Sequence, residues 1–213
     1  MKSSLLLLPL FTVTLIACAP EDPAQTTDPA AAAPAEQDAA PALPAPAGSD
    51  TDAVAGLLWT VPPGWEMQPQ RPMRAATYDT PPAEGDSEPG EVAVFYFGPQ
   101  EGGTVDANVN RWFNQFDQED GRPTSEVAER ETIEVNGMPV TLVRASGTYN
   151  AAAGPMAPRA DLRPDYRLIG AIVEGPEGAV FFKFTGPDRT VVEQEANFAL
   201  MVGSIQRSVT PGN

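Results

Sequence analysis

From Leu57 onward, apolar residues recur in short stretches, and the period of their recurrence changes along the chain. Leu57 to Val61 predicts a short strand, stopped by Pro62-Pro63-Gly64-Trp65, where proline rigidity and glycine freedom make a turn. Residues 74–79 and 91–97 predict two more strands, separated by the Pro/Gly/acid loop TPPAEGDSEPG. In the third, Val92, Val94 and Tyr96 share one face and Ala93, Phe95 and Phe97 the other. Both faces are apolar, so this strand is expected in the interior of a sheet with a helix over at least one side.

The period then lengthens to that of a helix. Thr104 suits an N-cap, Asp106 sits near the positive end of the helix dipole, and Val105, Val109, Trp112, Phe113 and Phe116 form one apolar stripe. Four strands are expected next, at 129–135, 138–149, 166–174 and 180–186. Asn136-Gly137 joins the first two as a type I′ hairpin, a turn that needs positive φ at both central positions. A last helix is expected from Pro187 to Ile205, with Val191, Phe198, Val202 and Ile205 on one face and Ala199 and Met201 at its edges. Strand runs punctuated by single helices predict an α+β domain over 54–208, a mostly antiparallel sheet of about six or seven strands covered by two main helices. Residues 209–213 are expected to be a disordered tail.

The N-terminal region has a different pattern. Lys2 is followed by an almost unbroken apolar run from Leu5 to Ile16 and by small Ala17, the layout of a secretory signal over 1–17. The run falls short of the ~20 apolar residues of a spanning helix, and Pro9 interrupts it. Residues 18–53 are dominated by Ala and Pro, with no aromatic and no basic residue. Such a segment cannot bury enough apolar surface to offset its chain entropy, and is expected to be a disordered tether. Its acids, Glu21, Asp22, Asp28, Glu36, Asp38, Asp50 and Asp52, repel one another and extend it.

Cys18 is the only cysteine, so no disulfide forms within the chain. The residues alone are compatible with an attachment point, a reactive thiol, or a chance neighbour of the signal cut. Leu15-Ile16-Ala17-Cys18 resembles a bacterial lipobox. That resemblance implies a lipoprotein, with Cys18 carrying fatty acyl chains such as palmitate and becoming the new N-terminus. Each buried methylene contributes about 0.8 kcal/mol, so two or three chains anchor a protein stably where one does not. It further implies a bacterial cell-envelope location with the membrane as a partner through the lipid anchor. Ala19 in place of an inner-membrane retention aspartate implies the outer membrane, periplasmic or surface face, where two membranes exist.

The segments LLWTVPPGW (57–65), MRAATY (73–78) and NVNRWFNQF (108–116) resemble the PsbP-like α/β sandwich. That family includes photosystem oxygen-evolving accessory proteins, Ran-binding Mog-type proteins and many bacterial lipoproteins. The resemblance implies the sandwich fold and a binding or assembly role. It carries over no catalytic residue.

Composition narrows the chemistry. The chain has 13 basic and 29 acidic side chains, a net charge of −16, and no histidine. Nucleic acid and direct adhesion to anionic lipid are disfavoured by that sign; the acidity serves solubility or a basic partner. Lack of histidine excludes a Ser-His-Asp triad, a His-ligated zinc site and a His general base. Carboxylate pairs are left as the acid/base chemistry open to the chain.

Three local stretches are candidates. Asp117, Glu119 and Asp120 in DQEDG offer oxygen ligands for a cation, or form a solvated turn; the glycine stands fifth rather than sixth, and Ala128 occupies the twelfth position where an EF-hand has glutamate. GPQEGG (98–103) precedes the first helix as a loop without a phosphate-binding lysine. Arg159, Arg163 and Arg167, spaced by four and accompanied by Tyr166, make a basic binding cluster in the insertion 150–167, or belong to a mobile hairpin excursion. The expected function is a membrane-tethered, non-catalytic binding or assembly module of the cell envelope, with an envelope protein partner and no cofactor. The alternative is a carboxylate-dependent or metal-dependent envelope enzyme.

Overall fold

A computed structural model describes residues 51–152 and 161–208. The expected signal sequence, Cys18, the expected tether through residue 50, Arg159 and residues 209–213 lie outside the described residues. Eleven strands, two α-helices and a 3-10 turn at Thr124–Glu126 follow in chain order among them. They are β1 (Thr51–Val54), β2 (Leu57–Thr60), β3 (Glu66–Met67), β4 (Ala76–Thr80), β5 (Gly90–Tyr96) and α1 (Val105–Phe113). Then come β6 (Phe116–Asp117), β7 (Glu129–Val135), β8 (Met138–Asn150), β9 (Leu162–Gly175), β10 (Gly178–Pro187), α2 (Asp188–Gly203) and β11 (Gln206–Arg207).

Eight strands make the main sheet, in the order β3-β4-β5-β10-β9-β8-β6 with β7 also on β8; β1, β2 and β11 make a small second sheet. All pairings are antiparallel. Because side chains alternate across a strand, the apolar runs of β9 and β10 feed two cores at once. Ile169, Ala171, Val173, Val180, Phe182 and Phe184 point to one face and pack with Val191, Phe198 and Met201 of α2 and with Leu57 and Trp59 of β2. Leu168, Ile172 and Phe181 point to the other and pack with Val109, Trp112 and Phe113 of α1. Two helices thus cover opposite faces of a large antiparallel sheet, the α+β architecture expected.

Local chemistry sets several boundaries. Thr104 caps α1, its hydroxyl accepting the Ala107 N–H at 3.2 Å. Asn136 and Gly137 have φ of 50° and 74°, the type I′ turn expected. Ala55-Gly56 makes a second such turn, with φ of 53° and 70°, and joins β1 to β2. Strand β1 thus takes in Thr51–Val54, residues ahead of or at the Val54 start expected for the domain.

Other differences have physical reasons. The strand count exceeds six or seven because β1, β3, β6 and β11 are too short to show a periodicity of their own. Phe116 belongs to β6 rather than to the first helix, which ends at Phe113 with Asn114 as its C-cap, yet it stays buried in the same core. On α2, Met201 is in the core and Ala199 is exposed. The insertion 150–167 is half strand. β8 runs on to Asn150 and β9 begins at Leu162, with Tyr149 opposite Arg163. Pro164 and Asp165 (φ 54°) sit opposite a register shift between Gly147 and Tyr149, and such a bulge is where a strand admits proline.

Candidate functional site

Helix α1 packs over β8 and β9 and leaves the sheet open toward β4 and β5. Two small residues shape the floor there. Lys183 on β10 has Ala93 opposite it on β5 and Gly170 on β9. A Cβ on Gly170 would stand 2.3 Å from Trp112 Cζ3, so only glycine lets α1 approach this far. Ala93 leaves space, and a cleft of about 520 Å³ opens beside the helix.

Lys183 is the only lysine after Lys2. Its Nζ donates to Gln115 Oε1 at 2.7 Å and to Tyr149 Oη at 3.0 Å, and lies 5.1 Å from the centre of the Tyr149 ring. Among the described residues no carboxylate comes within ion-pair distance of it. Arg111 on α1 donates to Asn108 Oδ1 at 2.9 Å and likewise has no carboxylate partner among the described residues. Asn108 is buried, its Nδ2 donating to the carbonyls of Gly102 and Thr104, so the glycine loop before α1 holds Asn108, which accepts the Arg111 bond.

The walls are aromatic. Phe97 stacks on Phe95 at 6.2 Å with 12° between planes and lies 5.7 Å from Phe181, while Trp112 forms the helix side. Arg74 lies over Phe95 at 5.8 Å and bridges Glu91 at 2.9 Å. Glu91 also holds Arg71 at 2.6 Å. Burial is the largest influence on the Glu91 carboxyl and would raise its pKa, but the hydrogen bonds and charges of Arg74 and Arg71 together carry it below the ordinary value. No acid lines the cleft among the described residues, where three cations do.

A larger cavity of about 870 Å³ has the opposite character. It brings together two of the three cation-ligand candidates, Glu119 and Asp120, with Tyr166 and with Asp86, Asp165 and Asp188. Several of these acids are already engaged. Asp120 accepts from Arg122 at 2.7 Å, Asp188 from Arg167 at 2.8 Å, and Asp86 from the N–H and hydroxyl of Thr190. Asp117 is on β6, paired with Thr148, and does not line this cavity. No three such side chains converge in a metal-holding group among the described residues.

Two of the arginine candidates, Arg163 and Arg167, are placed on β9 and bonded within the fold. Arg163 bridges Asp161 at 3.1 Å and Glu88 at 3.2 Å, and its guanidinium lies 5.7 Å from the Tyr166 ring. Its hydrogen bond to Asp161, then that to Tyr166, raise its pKa further. The Tyr166 hydroxyl donates to Glu88; burial first, then Glu88, raise the phenol pKa against the opposing Arg163. Arg163, Arg167 and Tyr166 thus fasten the long β8–β9 hairpin to the loop before β5 and to the start of α2. The cleft residues went unnoticed in the sequence, although one lysine between phenylalanines in FFKF was their signal.

No family model matches the chain, and no curated protein does. Among solved structures the chain is similar to cyanobacterial PsbP from Synechocystis, at 12% identity and a TM-score of 0.42, over 75% of this chain and 91% of that one. It is also similar to a Pseudomonas aeruginosa protein of unknown function, at 11% identity and a TM-score of 0.41, over 78% of this chain and 98% of that one. No residue role is transferred from either.

The arrangement beside α1 sets three cations and several aromatic rings around one cleft. Its groups are one ammonium, two guanidiniums, amides, a phenol and aromatic and aliphatic side chains.

Proposed function

We propose that this protein is a membrane-tethered, non-catalytic binding module of the bacterial cell envelope, in which a lipid on Cys18 and an acidic tether hold a domain that binds through the cleft beside α1. The single observation that carries the reading is the segregation of charge. In a chain of net charge −16, the cleft with aromatic walls is lined by Arg74, Arg111 and Lys183 and by no acid among the described residues. Its volume lies in the range of ligand sites, roughly 300–1,000 Å³, and its few polar groups among apolar walls match their usual make-up. The lipobox-like LIAC and the Ala/Pro-rich stretch support the tether, and no helix among the described residues is long and apolar enough to cross a membrane.

The carboxylate-dependent alternative would draw on the larger cavity, where Asp86, Asp120 and Asp188 are each bonded to other groups and no three acids converge among the described residues. The test is site-specific photocrosslinking in intact envelopes, with a benzophenone side chain replacing Phe97 at the cleft rim or Val192 on the opposite helix. A discrete adduct from position 97 and none from 192, in the membrane fraction, is the expected result. Equal labelling at both positions, or none at 97, overturns the reading.

A further inference from the structure

We propose that the cleft beside α1 binds a small amphipathic organic anion, its carboxylate or sulfonate held between Lys183 and Arg111 and its apolar body laid against Phe97 and Met73; this rests on the reading of the domain as a binding module. Three independent observations converge on that chemistry. The first is the incomplete satisfaction of Lys183. An ammonium has three N–H donors, and Gln115 and Tyr149 take two. A half-buried cation away from any counter-charge is costly, and the remedy that proteins adopt is a paired anion. Glu91, the acid nearest in the sheet pattern on that face, is already shared by Arg71 and Arg74, so an anion from outside has no internal competitor for Lys183.

The second observation is the rim. Phe97 is 38% exposed and Met73 76%, two of the few large apolar side chains that the domain leaves in water, and both line this cleft. Met73 is held there with a φ of 65°, a backbone region that non-glycine residues rarely adopt and that is found where surrounding structure imposes it. An apolar body covering them recovers about 25 cal/mol per Å² of apolar surface. Third, Arg111 on α1 and Lys183 on β10 line the same cleft, so two cations face it from two elements. Charge and apolar surface lie side by side, which selects a ligand that has both.

The test uses the chain 18–213 carrying Cys18→Ser, titrated by calorimetry and by amide NMR with 2-naphthoate, with its neutral counterpart 2-naphthalenemethanol, and with inorganic phosphate. Saturable 2-naphthoate binding is expected, with shifts confined to α1, β5 and β10, at least tenfold tighter than either comparison compound. Lys183→Met is expected to weaken it at least tenfold, about 1.4 kcal/mol, and Lys183→Arg to retain most of it. Thermal melting and the amide spectrum verify that each variant is folded, and Arg111→Gln, at an exposed position, gives a second measure with an expected loss of several fold. No saturable 2-naphthoate binding, equal binding of the alcohol or of phosphate, or unchanged affinity in both folded variants overturns the proposal. If these fail while crosslinking at position 97 still gives its adduct, the ligand class alone falls; if both fail, the binding-module reading falls with it.

Discussion

Trp112 lies so close to Gly170 that a Cβ on the glycine would stand 2.3 Å from Cζ3 and 2.6 Å from Cε3 of the indole. No side chain is accommodated at that distance, and both partners are fixed, the tryptophan by the core under α1 and the glycine by pairing on both sides of β9. Gly170→Ala must push α1 outward or force Trp112 off its rotamer. The expected cost is that of overpacking, about 1–3 kcal/mol. Urea unfolding measures it, and a variant as stable as the natural chain would show that the helix is not seated on the sheet in this way.

Asp86 caps a helix about a hundred residues further along the chain. Its Oδ2 accepts the Thr190 backbone N–H at 3.1 Å and the Thr190 hydroxyl at 2.7 Å, and Thr190 Oγ1 accepts the Ala83 N–H at 3.0 Å. Pro187, immediately before α2, supplies no side-chain cap, so the orphan N–H groups depend on the distant loop. Asp86→Ala is expected to cost about 1 kcal/mol, the usual value of a cap. In a double-mutant cycle with Thr190→Val, the pair should couple by roughly 0.5–3 kcal/mol. Strict additivity would mean that the two do not interact.

These two relationships mark what was legible in the sequence. The long strands, the two helices and the Asn136-Gly137 turn were readable because each is a local pattern: period two, period 3.6, or a dipeptide that tolerates positive φ. Strand β1 was not, because Ala55 carries no turn signal, and its φ of 53° is imposed by pairing in the small sheet. Arg163 and Arg167 read as free charge because their partners Glu88 and Asp188 come from other elements and adjoin them only in the fold. Beyond its place in FFKF, Lys183 carries no local pattern of a site, since the residues that surround it, among them Ala93, Gly170, Gln115 and Tyr149, come from other elements and adjoin it only in the fold.

Asp79 and Glu91 face each other across β4 and β5 and titrate in opposite directions. Asp79 is raised, by burial first and then by Glu91, so its ionised form penalises the fold; Asp79→Asn is expected to raise stability at neutral pH, with the gain fading in acid. Glu91 is lowered in the fold, so its contribution is present above its ordinary value of 4.5 and is lost as pH falls through the lower folded value. In an Asp79→Asn background, Glu91→Gln should therefore flatten the decline of unfolding free energy with falling pH below about 5. Parallel curves for the two chains would mean that Arg74 and Arg71 do not hold Glu91 in its charged form.

Arg163 and Tyr166 meet Glu88 at the loop end of the β8–β9 hairpin, and the consequence is structural. The pair is partly exposed, so Arg163→Ser should cost under about 1 kcal/mol, the range of surface ion pairs. Its effect should be local, with faster proteolysis in residues 81–89 and no change in crosslinking from position 97. Glu88→Gln should bring the Tyr166 phenol down toward its ordinary value, because it removes a charge and an acceptor that raise it. Ultraviolet titration against Tyr166→Phe isolates that phenol. Loss of the position-97 adduct in Arg163→Ser would return the arginines to the binding surface.

Cys18 bears on where the domain works rather than on what it binds. If LIAC is processed as a lipobox, Cys18→Ser removes the thiol that accepts the acyl chains, and with it several kcal/mol of membrane affinity at about 0.8 kcal/mol per buried methylene. The domain's own acidity gives it no second means of holding an anionic bilayer. The expected outcome is complete: the chain moves to the soluble fraction or accumulates as uncleaved precursor, and labelled palmitate no longer enters it. Membrane association and processing unchanged in Cys18→Ser would remove the anchor from this account while leaving the cleft beside α1, and the tests of Lys183, untouched.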